Sequence, residues 1–396
     1  MNKHKMSYVL FCLAAAFTMA FAAQGTAAAA ESVKLGAILN LTTAQSLYGT
    51  PMVNGVKLAV EHINAKGGIN GRQIELLTED AADTATTAMN AYNRMMEKKP
   101  LALVGPILGF QMIPFREKID KDQIPMISLS GTRGWTMNNN KYGFRTAEFD
   151  GTSKPAMADF VVEKLGAKKV GIITTANEWG YSGRDHVSAR LKTKYGITPT
   201  LIESYQVTDK DMSAQLLNLK KAGVDVIVSQ GHPADNAILF KQYKQLNIGV
   251  PLIACSVAQT AINMDITQPE DVEGIYVQTY ALPWDDPDPT IKAWAQEFNK
   301  KFKSIPDAYA LAQYDGVMIY GEAMKRAEAK GNLTRQGITD EMWKTDYKGM
   351  IARYVPDMEG NMMRDYIVVK YGKDKKAEIV GRVTVKQEDT IYALPK

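Results

Sequence analysis

VKLGAIL, residues 33–39, is followed by MVNGVKLAVEHINAKGG, residues 52–68. The first run is short and almost continuously apolar, the pattern of a strand buried on both faces. In the second, Val53, Val56, Leu58, Ala59 and Ile63 recur at helical spacing over Met52–Ala65, and Lys66-Gly67-Gly68 supplies a glycine end cap. A strand followed by a helix is the unit of a parallel sheet, because parallel neighbours need a crossover and the helix that supplies it covers the sheet face. The unit repeats outward from here. Strands are expected at Gln73–Leu77, Leu101–Val104 and Pro125–Ser128, with helices at Ala85–Glu97 and Met112–Asp120 between them.

The alternation restarts after Asp150. Helices are expected at Ala156–Leu165, Gly183–Tyr195, Ser213–Ala222 and Asn236–Leu246, and strands at Lys169–Thr174, Leu201–Tyr205, Val224–Ser229 and Leu252–Cys255. A Pro- and Asp-rich connector, Leu282–Pro289, leads to helices at Ile291–Phe302 and Tyr309–Lys330. These are too few to bury themselves and are expected to return to the first unit. The reading is an α/β fold of two Rossmann-like lobes with parallel central sheets joined by a multi-strand hinge. Lobe 1 takes residues 31–150 plus 284–354 and lobe 2 residues 151–277 plus 358–396, with hinge crossings at 278–283 and 355–357.

Residues 1–30 of the 396-residue chain read as an export signal. Lys3 and Lys5 give a positive start, Ser7–Ala23 an apolar run, and Ala28-Ala29-Ala30 the small residues expected before cleavage. Cys12 follows Phe11 instead of the small residue that lipid attachment needs, so release as a soluble periplasmic protein is expected. That leaves Cys255 as a single thiol and no internal disulfide. The formal charge of +4 includes Lys3 and Lys5, and with no basic runs there is no electrostatic case for nucleic acid or an anionic membrane. Past residue 30 no apolar run approaches the roughly 20 residues of a membrane span.

Open parallel sheets bind ligands beyond the carboxyl ends of their strands. In the first lobe these ends carry Tyr48, Gly109-Phe110-Gln111 and Ser130-Gly131-Thr132, where hydroxyls and free N–H groups suit a carboxylate. Helix capping is an equally good reading of each. The second lobe offers Glu178-Trp179, His232 and Ser256, with Trp179 as an apolar wall. No Gly-x-Ser-x-Gly elbow, dinucleotide fingerprint or phosphate loop is present, and Gly67–Gly71 follows a helix and reads as a cap and turn. His62, His186 and His232 lie far apart, so neither a metal nor another cofactor is expected, and the chain does not read as an enzyme.

With these residues in view, the chain resembles the branched-chain amino acid type of ABC-transporter solute-binding proteins. The resemblance rests on Val33–Ala37, Asn54–Gly71, Val104-Gly105-Pro106, Ile124–Ser128, Phe144-Arg145-Thr146, Asp211–Leu216 and Tyr314-Asp315. It implies the type I periplasmic binding fold, a small-molecule ligand and an inner-membrane permease as partner, with a receptor ectodomain as the alternative. The protein is expected to act as a monomer. By the resemblance, lobe 1 holds a carboxylate through Gly109–Gln111 and Ser130–Thr132, with an aromatic at Tyr48. Amino-acid binders of the family hold the ammonium with an acidic residue where this chain has Ser256. That departure points to an aromatic or branched acid lacking the amino group, walled by Trp179, Tyr48 and Phe110, unless Glu178 or Asp235 substitutes. The alternative is a branched-chain or other amino acid or amide.

Overall fold

The computed structural model describes residues 31–136, 140–263, 265–392 and 394. The expected export signal, with Cys12, lies outside the described residues. The burial of Val33–Leu39, broken only at the half-buried Lys34, follows from its place inside a five-stranded, wholly parallel sheet. Its strands β1 (Val33–Leu39), β2 (Ile74–Asp80), β3 (Ala102–Val104), β4 (Met126–Ser128) and β5 (Gly143–Arg145) lie in the order β2-β1-β3-β4-β5. The register sets Leu35 beside Ala102, Leu103 beside Met126 and Ile127 beside Phe144. Strand β5 is three residues long and gives no periodicity to read.

Helices α1 (Ser46–Ala65), α2 (Ala85–Glu97) and α3 (Gly109–Asp122) connect the first strands. Helix α1 starts before Pro51, which lies inside it, so the proline does not mark the helix start that Met52 suggested. Helix α3 likewise begins ahead of Met112, at the glycine that ends the β3 loop.

The second sheet takes up the chain after α4 (Asp150–Glu163). Strands β6 (Val170–Thr175), β7 (Leu201–Tyr205), β8 (Val226–Gln230), β9 (Leu252–Ala254) and β10 (Tyr276–Thr279) alternate with α5 (Glu178–Tyr195), α6 (Ser213–Lys221), α7 (Pro233–Gln245) and the short α8 (Val257–Asn263) and α9 (Pro269–Val272). Their order β7-β6-β8-β9-β10 repeats that of the first sheet. The chain then runs through α10 (Pro289–Phe302), α11 (Ala308–Ala329) and α12 (Arg335–Met342) and the small ribbon β11 (Tyr347–Lys348) and β12 (Arg353–Tyr354). It ends in a hairpin, β13 (Asp365–Tyr371) and β14 (Ala377–Thr384). Strand β13 pairs antiparallel with β10, so the second sheet carries an antiparallel edge and is not wholly parallel.

Helices α10 and α11 pack on α1, and α12 packs on α11. Helix α11 meets α1 at backbone contact: a Cβ at Gly55 would fall 2.1 Å from the Ala310 carbonyl oxygen, so only glycine fits.

The chain passes between the sheets three times, after β5, after β10 and after β12, and the passages are stitched together. The Arg145 N–H donates to the Gly360 carbonyl at 3.0 Å, and the Met362 N–H to the Arg145 carbonyl at 3.0 Å. The Gln278 amide donates to the Ser153 carbonyl at 2.7 Å. The guanidinium of Arg145, fully buried, donates to the Ser130 and Thr132 carbonyls, both at 2.6 Å, to Thr136 at 3.2 Å and to Asn361. Burial pulls its pKa down to about 10, against the pull of Asp150 and Asp357, which leaves it charged at neutral pH. Arg145→Leu strands these buried acceptors and is expected to lower stability by about 3–5 kcal/mol in urea unfolding. Arg353→Ala, which breaks a solvent-exposed pair with Asp346, is expected to leave the urea midpoint in place.

Candidate functional site

Helices α3, α5, α7 and α8 all begin at the carboxyl ends of strands, and these ends face one another across a cleft. The N–H groups of a first helical turn have no partner within the helix and favour negative charge. The cleft is narrow and open to solvent, with about 490 Å³ of unfilled space when the solvent at its mouth is counted. Lobe 1 contributes Ile107, Leu108, Gly109, Phe110, Leu129 and Gly131. Asn177, Glu178, Trp179, His232 and Val257 line it from the second lobe, with Glu148 on the first hinge passage and Tyr309 at the start of α11.

Arg145 shapes the first wall. A trans peptide points its C=O and N–H in opposite directions. With the Ser130 carbonyl drawn to the guanidinium, the Gly131 N–H points away from it, on the side where Gly131 lines the cleft. Gly131 also has to be small. A Cβ there would lie 3.0 Å from Asp150 Oδ1 and 3.6 Å from Trp179 Nε1 of the facing lobe.

On the second wall Trp179 and His232 stack, with ring centroids 5.0 Å apart and planes tilted by 31°. Asn177 caps α5 by accepting from the Gly180 N–H, which turns its NH₂ toward His232 Nε2, 3.1 Å away. His232 Nε2 is therefore an acceptor and the ring is neutral. Burial agrees, pushing the His232 pKa down to about 4.

The lobes meet at the mouth, where the Thr132 hydroxyl donates to Glu178 Oε2 at 3.3 Å. Burial, and then the charge of Asp150, raise the pKa of Glu178. Deeper in, Thr260 donates to Asp307, and Gln259 accepts from the Ala308 N–H at 2.8 Å.

Glu148 is 2% exposed. Its Oε1 accepts from the Ser256 hydroxyl and from Tyr309 at 3.2 Å, while Oε2 has no hydrogen-bond partner. Lys154 Nζ, also buried, lies 3.9 Å from both Glu148 Oε2 and Asp150 Oδ1. Burial alone would lower the pKa of Lys154, but the two carboxylates outweigh it and the pKa is raised.

Of the residues expected from the sequence, Gly109, Phe110, Gly131, Glu178, Trp179 and His232 line the cleft, and Thr132 reaches it through Glu178. Gln111 is corrected. Its amide is buried and bonds to Asn40 and to the carbonyls of Ala81, Ala82 and Thr84, clamping the ends of the first two strands. Ser130 and Ser256 are buried behind the lining, and Ser256 serves Glu148. Asp235 is turned to the His232 N–H and is not at the surface of the cleft. The side chain of Tyr48 lies outside the described residues. Besides Glu178 and Asp235, which the sequence offered as stand-ins for the acid missing at Ser256, the structure brings a third acid, Glu148, to the cleft and to the Ser256 hydroxyl. Sequence reading missed it because Thr146–Phe149 is an irregular link with no period.

A family model described as periplasmic binding protein matches residues 32–376. The Leu/Ile/Val-binding protein homolog 3 of Brucella melitensis is 30% identical over 243 residues, which is 61% of this chain and 64% of that protein. Among solved structures, the branched-chain amino acid transporter substrate binding protein LivJ from Streptococcus pneumoniae, in complex with isoleucine, is similar at TM-score 0.78 and 25% identity, covering 88% of this chain and 99% of that one. An R. palustris solute binding protein in complex with benzoate is similar at TM-score 0.80 and 17% identity, covering 91% and 99%. The last likeness is one of fold.

His232 makes stability depend on pH. Between its ordinary pKa of 6.5 and about 4 the unfolded chain binds a proton there that the folded chain does not, so stability falls as pH is lowered through that window. The loss amounts to about 3 kcal/mol at its limit. Asp235, raised to about 6 by burial, acts in the opposite sense. His232→Gln is expected to flatten the acid-side fall of the urea midpoint between pH 6.5 and 4, and an unchanged slope would refute the assignment.

Proposed function

Because the chain is a solute-binding protein of the periplasmic binding protein family, in its branched-chain amino acid type, we propose that it captures a small organic carboxylate between its lobes in the periplasm and delivers it unchanged to the permease of an ABC importer. The observation that carries this reading is the contrast between the two walls. One presents the start of α3 and the Gly131 N–H, which together suit a carboxylate. The other presents the stacked Trp179 and His232, opposite Phe110, Leu108 and Leu129, which suit a branched or aromatic body.

None of the described residues lining the cleft is Ser, Thr, Cys or Lys, which favours capture over turnover. Ligand docks on lobe 1 while the cleft is open, and lobe 2 rotates to bring Glu178 to Thr132 and bury it. The closed pair of lobes is then the surface a permease reads. Glu148 keeps the amino-acid alternative open, since it is a buried acid within the cleft.

Titration calorimetry of branched and aromatic acids against their primary amides tests the reading. Acids are expected to bind at least about tenfold tighter, and equal binding of the amides would overturn it. Saturation should also compact the protein in small-angle scattering and change Trp179 fluorescence. A Cβ at Gly109 would lie 2.3 Å from Thr132 Oγ1 and 2.7 Å from Glu178 Oε2, both ends of side chains. Gly109→Ala is accordingly expected to fold, yet to bind the acid about tenfold or more weakly.

A further inference from the structure

Among the cleft-lining residues, Glu148 carries a buried oxygen with no hydrogen-bond partner. We infer that Glu148 is a specificity-determining residue, which reads a hydrogen-bond donor borne beside the ligand's carboxylate and so selects donor-bearing acids over plain ones. This rests on the carboxylate reading of the cleft.

Three observations converge. A carboxylate has about four acceptor sites, and in Glu148 only Oε1 receives donors, from Ser256 and Tyr309. The nearest cation, Lys154, stands 3.9 Å from Oε2, beyond hydrogen-bond reach, and is shared with Asp150. Arg145 makes its hydrogen bonds to Ser130, Thr132, Thr136 and Asn361 and none to Glu148. Lys154 Nζ offsets the charge of Oε2 across 3.9 Å without a hydrogen bond to it, so Glu148 keeps acceptor capacity that a donor on the ligand can fill.

Its place is informative. Glu148 lies on a hinge passage, yet its carboxylate is held by Ser256 of lobe 2 and Tyr309 of α11, which packs with lobe 1. Ser256 occupies the position where an acid was expected and instead orients an acid supplied from elsewhere in the chain. A donor that completes Glu148 thereby engages a group fixed by both lobes only when they are closed.

The test is a series on one skeleton. Leucine, 2-hydroxy-4-methylpentanoate and 4-methylpentanoate are titrated into the wild-type protein, together with phenylalanine, 3-phenyllactate and 3-phenylpropanoate. The amino or hydroxy member of at least one series is expected to bind about tenfold or more tightly than its plain acid, and which of the two does so tells ammonium from hydroxyl. In Glu148→Gln that ratio is expected to fall below about threefold, with the plain acid little changed. Equal affinity across each wild-type series overturns the inference while leaving carboxylate capture standing, and this arm needs no variant to fold. A uniform loss across a series in Glu148→Gln, with the ratio kept, also overturns it. If no acid binds better than its amide, the carboxylate reading fails and the inference falls with it.

Discussion

A single buried cation organises the centre of the molecule. Arg145 ends the first sheet, begins the first passage between lobes, and sends its guanidinium to the loop after β4 and to Asn361 on the last passage. Asn361 is in turn held by Asp357. A buried guanidinium needs its donors filled by acceptors in fixed directions, and that requirement turns the 130–132 loop so that its carbonyls face inward. The ligand wall and the hinge are thus set by one side chain. Loosening the chain passage at this point would also loosen the loop that lines the cleft.

The fold was largely legible in the sequence because its strands are nearly continuous apolar runs and its helices are amphipathic. What the pattern could not show was where helices begin. Gly109, Glu178 and Pro233 stand in first turns, where caps and backbone geometry decide the structure and no apolar period exists. Those are the turns at the cleft, so the cleft-lining positions were the least periodic. Gln111 shows the converse error. A polar residue near a ligand loop was read as ligand-facing, while the structure uses it to satisfy buried carbonyls. Glu148 was hidden for a third reason, since a four-residue link carries no signal about what it faces.

The electrostatics of the cleft depend on neutral as well as charged groups. His232 stays uncharged beside Trp179, which keeps that wall apolar at physiological pH. Glu178, whose proton affinity is raised, closes the mouth through a hydroxyl and not through a cation. The lobes touch through polar contacts, Thr132 with Glu178 and the buried Thr260 with Asp307, and not through a cation between them.

The contact of Gly55 with the Ala310 carbonyl joins segments separated by most of the chain. The core beneath α1 cannot close until residues 308–329 are available, so the first lobe stays incomplete through most of synthesis. Long-range closure of this kind is slow. Until α11 is made, the face of α1 that it covers stays open to water, although the second sheet, β6 to β10, is contiguous in sequence and can form first.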